Sequence, residues 1–328
     1  MSNLNAIVLK IISNGKGILA ADESTSTMTK RLEAVEIPST EESRLSFREM
    51  LFNSDCMKDC IGGVILYDET IRQKTKSGKS IPDLIDSSGA VVGIKVDTGA
   101  KVLANSPEEK ITEGLDGLRE RLKDYYSLGA RFTKWRGVYN ISKEYPSKLS
   151  LLSNAHALAR YSAIVQECNM VPIVEPEVLM NGEHSAKECF NKTSEVLKRC
   201  FEELILNKVD LKGIILKPNM ILAGNECKDK ISNEEIAKLT LRCLKDCVPS
   251  EVPGIAFLSG GQSEIEATEN LNLINKFNDT NFIMSYSFGR ALQQSALKFW
   301  SQDTQNIEGT QKIFNQRARM NTLAAQGK

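Results

Sequence analysis

The sequence predicts an α/β fold, and within that class a closed (β/α)8 TIM barrel, on three observations. Eight short apolar runs recur along the 328 residues, most of them roughly thirty to forty-five residues apart, which is the size of a βα unit. Helical periodicity fills several of the gaps between them. No low-complexity segment or Pro/Gly-rich linker divides the chain, so residues 1–328 read as a single barrel domain. Strands buried on both faces appear as near-continuous apolar runs, and their alternation with helices implies a parallel sheet. An open doubly wound sheet is the alternative.

The elements follow in order. AIVLKII (6–12) is short and broken by Lys10, so it reads as an amphipathic helix and not as a signal peptide or a membrane span. The eight strand candidates are GILAAD (17–22), IGGVILYD (61–68), VVGIKVD (91–97), ARFTKWRG (130–137), VPIVEPEVL (171–179), LKGIILKP (211–218), PGIAFLSGG (253–261) and NFIMSYSFGR (281–290). Between them, 153–169 carries a strong helical pattern with Ser153 as its N-cap, and 185–206 is long and amphipathic. The pattern over 269–277 is shorter and weaker.

Composition narrows the function. An apolar share of 41% and a charged share of 26% are ordinary for a globular protein, and a net charge of zero offers no footprint for nucleic acid. The eight cysteines include no close CxxC pair; Cys56/Cys60 and Cys243/Cys247 are spaced as helix neighbours. They read as reduced thiols, which favours a cytoplasmic protein. His156 and His184 are the only histidines and lie far apart, which argues against a metal-dependent lyase.

In a barrel enzyme the site lies at the C-terminal ends of the strands, and the unusual polar residues collect there. The first run ends in Asp22-Glu23-Ser24 and the third in Lys95-Val96-Asp97. The fourth carries Lys134-Trp135-Arg136, the fifth Glu175-Pro176-Glu177, and the sixth ends at Lys217. Three of these are charged pairs two residues apart, so each pair points to one face of its strand. A lone lysine at a strand end usually lays its carbons along apolar surface and keeps its ammonium in water. A lysine in a dry, electropositive pocket instead gives up its proton more readily and becomes a nucleophile towards a carbonyl. The seventh run ends Ser259-Gly260-Gly261 and the eighth Ser287-Phe288-Gly289-Arg290. Glycines after a strand let backbone N–H groups approach an anion, Arg290 offers a fork for phosphate, and barrels often bind phosphate after these two strands.

With these residues in hand, the chain resembles class I fructose-bisphosphate aldolase, the Schiff-base-forming kind. GKGILAADEST, IGGVIL, GIKVD, KWR, ARY, VPIVEPE, LKPNM, FLSGGQSE, A-x-x-NLN-x-INK and SFGRALQ-x-SALK-x-W match the family pattern in order over nearly the whole sequence. The resemblance implies a (β/α)8 barrel, a homotetramer in the cytoplasm, and no metal or other cofactor. It implies reversible cleavage of fructose 1,6-bisphosphate to dihydroxyacetone phosphate and glyceraldehyde 3-phosphate in glycolysis and gluconeogenesis. Carried over by position, Lys217 is the Schiff-base lysine with Lys134 beside it. Glu175 is the main proton shuttle and Glu177 supports the lysines. Asp22 engages the hydroxyl next to the broken bond. Ser259, Gly260, Gly261, Ser287, Gly289 and Arg290 hold the phosphate on the ketone side. Arg31, Lys95 and Arg136 serve the other phosphate or the charge network of the site. The partner is a phosphorylated sugar, with neither nucleic acid nor membrane.

Two departures stand out. The chain reads ADESTS, with Ser26 where many family members have glycine. The family also continues past a GK into a tail finishing in tyrosine, whereas this sequence is written to Gly327-Lys328 and its last aromatic is Phe314. The expectation is that imine formation is intact, and the efficiency of bisphosphate turnover is left open. Two rival readings stand beside the first: another Schiff-base barrel lyase acting on sugar monophosphates, and a non-catalytic aldolase-like scaffold.

Overall fold

A computed structural model describes residues 3–328 and, among them, ten strands. These are β1 (Gly17–Ala21), β2 (Ile61–Leu66), β3 (Val91–Lys95), β4 (Gly99–Leu103), β5 (Ser106–Glu113), β6 (Phe132–Tyr139), β7 (Val171–Val178), β8 (Ile215–Leu216), β9 (Gly254–Phe257) and β10 (Ile283–Phe288). Eight of them close into a barrel in the order β1-β2-β3-β6-β7-β8-β9-β10, every neighbouring pair parallel. Each of the eight predicted runs supplies one barrel strand. The open doubly wound sheet is therefore not formed.

The sixth run is mostly not strand. Leu211–Gly213 is a 3-10 turn capped by the Asp210 side chain, which leaves only Ile215–Leu216 in the ladder. The extended pairing still reaches one residue further, because the Lys217 N–H donates to the Val174 carbonyl at 2.8 Å. Hairpin β4–β5 was not predicted. Its residues are largely polar and exposed, so no apolar run marks them. It is tied to the barrel by the Thr112 hydroxyl, which donates to the Arg136 carbonyl at 2.6 Å.

Helix boundaries shift for local reasons. The helix expected over 153–169 runs Lys148–Glu167, capped by Ser147 and not by Ser153. The Ser147 side chain accepts from the Ser150 N–H at 3.2 Å, satisfying a donor the first turn leaves free, while Ser153 lies inside the helix. The helix Glu264–Phe277 begins earlier than the weak pattern at 269 suggests, because Ser263 and Glu266 form a capping box. Ser185 and Glu188 do the same for Ala186–Leu206, where periodicity and cap agree.

The N-terminal helix Asn3–Ile12 closes the bottom of the barrel with Val8, Ile11 and Ile12 fully buried. Its approach demands glycine at position 62, where an added Cβ would lie 1.7 Å from the Ile11 carbonyl oxygen. Above this plug, Ile18, Ile65, Phe132, Ile173 and Ile215 fill the lower interior. A second, larger core lies between strands and surrounding helices, with Leu19, Val64, Trp135, Val174, Leu216 and Ile255 among its members. The apolar floor leaves the charged side chains inside the barrel at its C-terminal end.

Candidate active site

Side-chain alternation builds the site. On β6 the inward column reads Phe132, Lys134, Arg136; on β7 it reads Val171, Ile173, Glu175, Glu177. The same change from apolar to charged occurs from Ile215 to Lys217 and from Ile18 through Ala20 to Asp22. Because inward positions recur every two residues, one step up each strand moves from core to chemistry. The charged layer lines a cavity of about 550 Å³ at the C-terminal mouth.

At its centre four charges alternate in sign. The Lys217 Nζ lies 3.1 Å from Glu175 Oε1. The Lys134 Nζ lies 3.5 Å from Glu175 Oε2 and 2.7 Å from Asp22 Oδ2. Lys134, Glu175 and Lys217 are each no more than 5% exposed, so water screens them little. Burial pushes the Asp22 carboxyl up, but Lys134, then Lys217 and Lys95, outweigh it and hold the group at about 2. Burial likewise opposes charge on Lys134, and Asp22 and Glu175 overcome that and raise its ammonium well above the ordinary range. Glu175 is lowered: burial works against it, and Lys217 and Lys134 prevail. At neutral pH the centre therefore holds two carboxylates bridged by the Lys134 ammonium.

Around this centre, Arg136 pairs with Glu177, and Lys95 Nζ lies 3.4 Å from Asp97 Oδ1. Arg31 pairs with Glu23, and its Nη1 donates to Gln293 Oε1 at 3.5 Å. Ser259, Gly260, Ser287, Gly289 and Arg290 line the wall at the ends of β9 and β10. Gly289 caps the helix Arg290–Trp300, so that helix opens its N-terminus beside the cavity. The Ser287 Oγ is buried and has no partner in the protein, a donor left for a bound group.

Thirteen of the fourteen predicted site residues line one cavity, and Gly261 does not. It forms the turn beyond the wall with φ +78°, and an added Cβ would lie 2.7 Å from the Met180 side chain. The turn needs glycine for its backbone and for the room Met180 takes, so its link to the site runs through Gly260. Ser26 lies in the first turn of the helix Thr25–Glu33, where a serine fits readily.

Ser24 was noted at the end of the first run without a role, and three polar wall residues escaped the sequence reading: Thr27, Lys30 and Gln294. The signal was present. Ser24, Thr27 and Arg31 are spaced as one helix face, and Gln294 stands four residues after Arg290. Neither histidine reaches the cavity wall, and among the described residues no three His, Cys, Asp or Glu are grouped to hold a metal ion.

A buried lysine touching a carboxylate, at the mouth of a parallel barrel with an anion cradle on the strands beside it, is the architecture of a lysine-dependent carbon–carbon lyase. Comparison with known proteins gives the family. The model described as fructose-bisphosphate aldolase class-I matches residues 3–328. The chain is 49% identical over 319 residues to a probable fructose-bisphosphate aldolase class 1 of Xanthomonas campestris, covering 97% of this chain and 96% of that one. It is 50% identical over 327 residues to the non-muscle-type fructose-bisphosphate aldolase of Lethenteron camtschaticum, covering 99% and 90%. A solved structure of fructose-bisphosphate aldolase from Plasmodium falciparum, in a ternary complex with TRAP and a small-molecule inhibitor, superposes with a TM-score of 0.98. That pair is 44% identical, covering 99% of this chain and 94% of the other. The chain belongs to the class I fructose-bisphosphate aldolase family. It is an aldehyde-lyase that reversibly cleaves fructose 1,6-bisphosphate through a lysine Schiff base, a step of glycolysis.

Proposed function

We propose that Lys217 carries the Schiff base and that Glu175 moves the protons. The observation that carries this is the contact of Lys217 Nζ with Glu175 Oε1 at 3.1 Å, both side chains nearly fully buried at the base of the cavity. Attack on the substrate ketone needs the neutral amine, and the Glu175 carboxylate is within reach of the proton it must lose. The new carbon–nitrogen bond gives a carbinolamine. Glu175 returns a proton to its hydroxyl, water leaves, and a protonated imine remains.

Cleavage then sends the electrons of the carbon–carbon bond into that imine, forming an enamine. The proton of the neighbouring hydroxyl passes to the Glu175 carboxylate while Asp22 orients the hydroxyl, and the aldehyde departs. Protonation of the enamine carbon and addition of water to the imine release the ketone product and restore Lys217. Lys134, held charged by Asp22 and Glu175, keeps both carboxylates anionic between steps. Glu177 holds Arg136 at the rim of the same cavity.

The two phosphates provide binding energy remote from the reacting carbon. The Ser259-Gly260 backbone, Ser287, Gly289 and Arg290 take the ketone-side phosphate. Arg31 serves the far end, with Lys95 and Arg136, each already paired to a carboxylate, setting the charge there. The imine is the electron sink, so the reaction needs no metal, and turnover should survive treatment with a chelator. We further propose a homotetramer in the cytoplasm; sedimentation velocity tests the assembly. Among the described residues no helix is long and apolar enough to cross a membrane.

Borohydride reduction in the presence of dihydroxyacetone phosphate, followed by peptide mapping, tests the assignment. An adduct on the peptide containing Lys217, lost in Lys217→Met, is expected. An adduct elsewhere, or turnover retained by Lys217→Met, would refute it.

A further inference from the structure

Behind the wall that bears Asp22 and Arg31 lies a row of charges that the steps above do not use. Arg48, on the helix Glu41–Phe52, has a side chain only 1% exposed. Its Nη2 donates to the Glu23 carbonyl at 2.8 Å and lies 3.6 Å from the Glu23 carboxylate. Its Nη1 donates to the Thr70 hydroxyl at 2.7 Å and lies 3.8 Å from Glu69, which in turn pairs with Arg44. Glu23 therefore sits between two guanidiniums, Arg48 behind it and Arg31 in front.

Arg31 spends one nitrogen on this arrangement. Its Nη1 is engaged by Glu23 and Gln293, while its Nε and Nη2 are buried without a partner. Gln293 is itself anchored, its amide donating to the Ala20 carbonyl at 2.7 Å. Arg31 is thus gripped through Nη1 and keeps its Nε and Nη2 edge without a protein partner. A buried guanidinium is costly unless well paired, and Arg48 does not itself line the cavity; it meets the wall only through Glu23. Its fork links two different segments, the turn after β1 and the short helix after β2, which the single point charge of a lysine cannot span in the same way.

We propose that Arg48 is a positioning residue for the doubly phosphorylated substrate: it fixes Glu23, and Glu23 fixes the free edge of Arg31 towards the far phosphate. The proposal rests on the aldolase reading above, which assigns Arg31 to that end. Its signature is selectivity, because a merely structural arginine would affect every substrate alike.

The experiment compares Arg48→Lys and Thr70→Val with the unaltered enzyme on fructose 1,6-bisphosphate and on the ketose 1-monophosphate that lacks the far phosphate. For Arg48→Lys the bisphosphate KM should rise roughly tenfold, with kcat and the monophosphate KM each within about twofold, as expected for losing one charge-assisted contact. Thr70→Val removes one partner of Arg48 without touching Glu23 and should shift the bisphosphate KM in the same direction by about threefold. Equal losses on both substrates, or no change in the bisphosphate KM, would overturn the proposal. Should Arg48→Lys not fold, Thr70→Val decides alone. Imine trapping on the unaltered enzyme, run alongside, tests the aldolase reading separately, so a failure of either is recognisable.

Discussion

Lys134 is the hinge of the central charge row, and its replacement by methionine gives the sharpest test of how that row is held. At 2.7 Å and an effective dielectric of about 20, its gross attraction to Asp22 is about 6 kcal/mol. Much of this is offset by burying both groups. What survives is visible on Asp22, whose carboxyl burial pushes up and the lysines bring down; the gap between the ordinary 3.8 and about 2 corresponds to about 2.4 kcal/mol. The second figure is the better guide, because it already includes the burial penalty.

Lys134→Met keeps the volume but leaves Asp22 and Glu175 buried with less compensation, so stability near neutral pH should fall by about 3–5 kcal/mol. The pH dependence has a definite sign. A depressed carboxyl contributes stability that is full above its unfolded value and fades as pH falls through its folded value. The gap between parent and variant should therefore narrow between about pH 4 and about pH 2. Urea unfolding of the parent, Lys134→Met, Asp22→Asn and the double variant forms a cycle, with an expected coupling of about 2 kcal/mol. Near-additive single effects would refute the pairing as the source of the stability.

Four further outcomes follow from the same structure. Glu175→Gln preserves shape but removes the proton acceptor beside Lys217, so kcat should fall about 10²–10⁴-fold with little change in substrate affinity. In the parent, the acid limb of kcat/KM should lie below pH 4.5, since Glu175 is lowered from that value against burial by Lys217 and Lys134; a limb near neutrality would contradict the assignment. Ser287→Ala removes a buried hydroxyl with no protein partner, so melting should barely change while calorimetry shows dihydroxyacetone phosphate binding about tenfold weaker. Gly261→Ala meets both φ +78° and the Met180 side chain, and should lower stability by about 1–3 kcal/mol in denaturant unfolding.

Much of the barrel was legible because strand and helix periods are local properties. Glu175 and Glu177 share a face of β7 whatever surrounds them, and so do Lys134 and Arg136 on β6. The apolar residues below each pair already imply a charged layer above a dry floor. Hairpin β4–β5 escaped, since its polar, exposed strands leave no apolar signature. The Ser147 cap escaped because Ser153 is an equally good hydroxyl in isolation, and only the path of the chain selects between them. Thr27 and Lys30 were passed over because a helix face of hydroxyls and cations usually faces water, and here it borders the cavity.

The sequence alone, through residue type and the two-residue period of its strands, determined which side chains enter the barrel and at what height. It could not say which cation meets which carboxylate. That choice depends on the register and closure of eight strands, which bring Lys134, from the middle of the chain, within hydrogen-bonding distance of Asp22 from its beginning. Arg48 makes the same point: nothing local distinguishes it from a surface arginine on an ordinary helix. Only the packing of that helix behind the turn after β1 removes it from water and sets it against Glu23, and electrostatic pairing follows from separation in space, which the chain reaches only on folding.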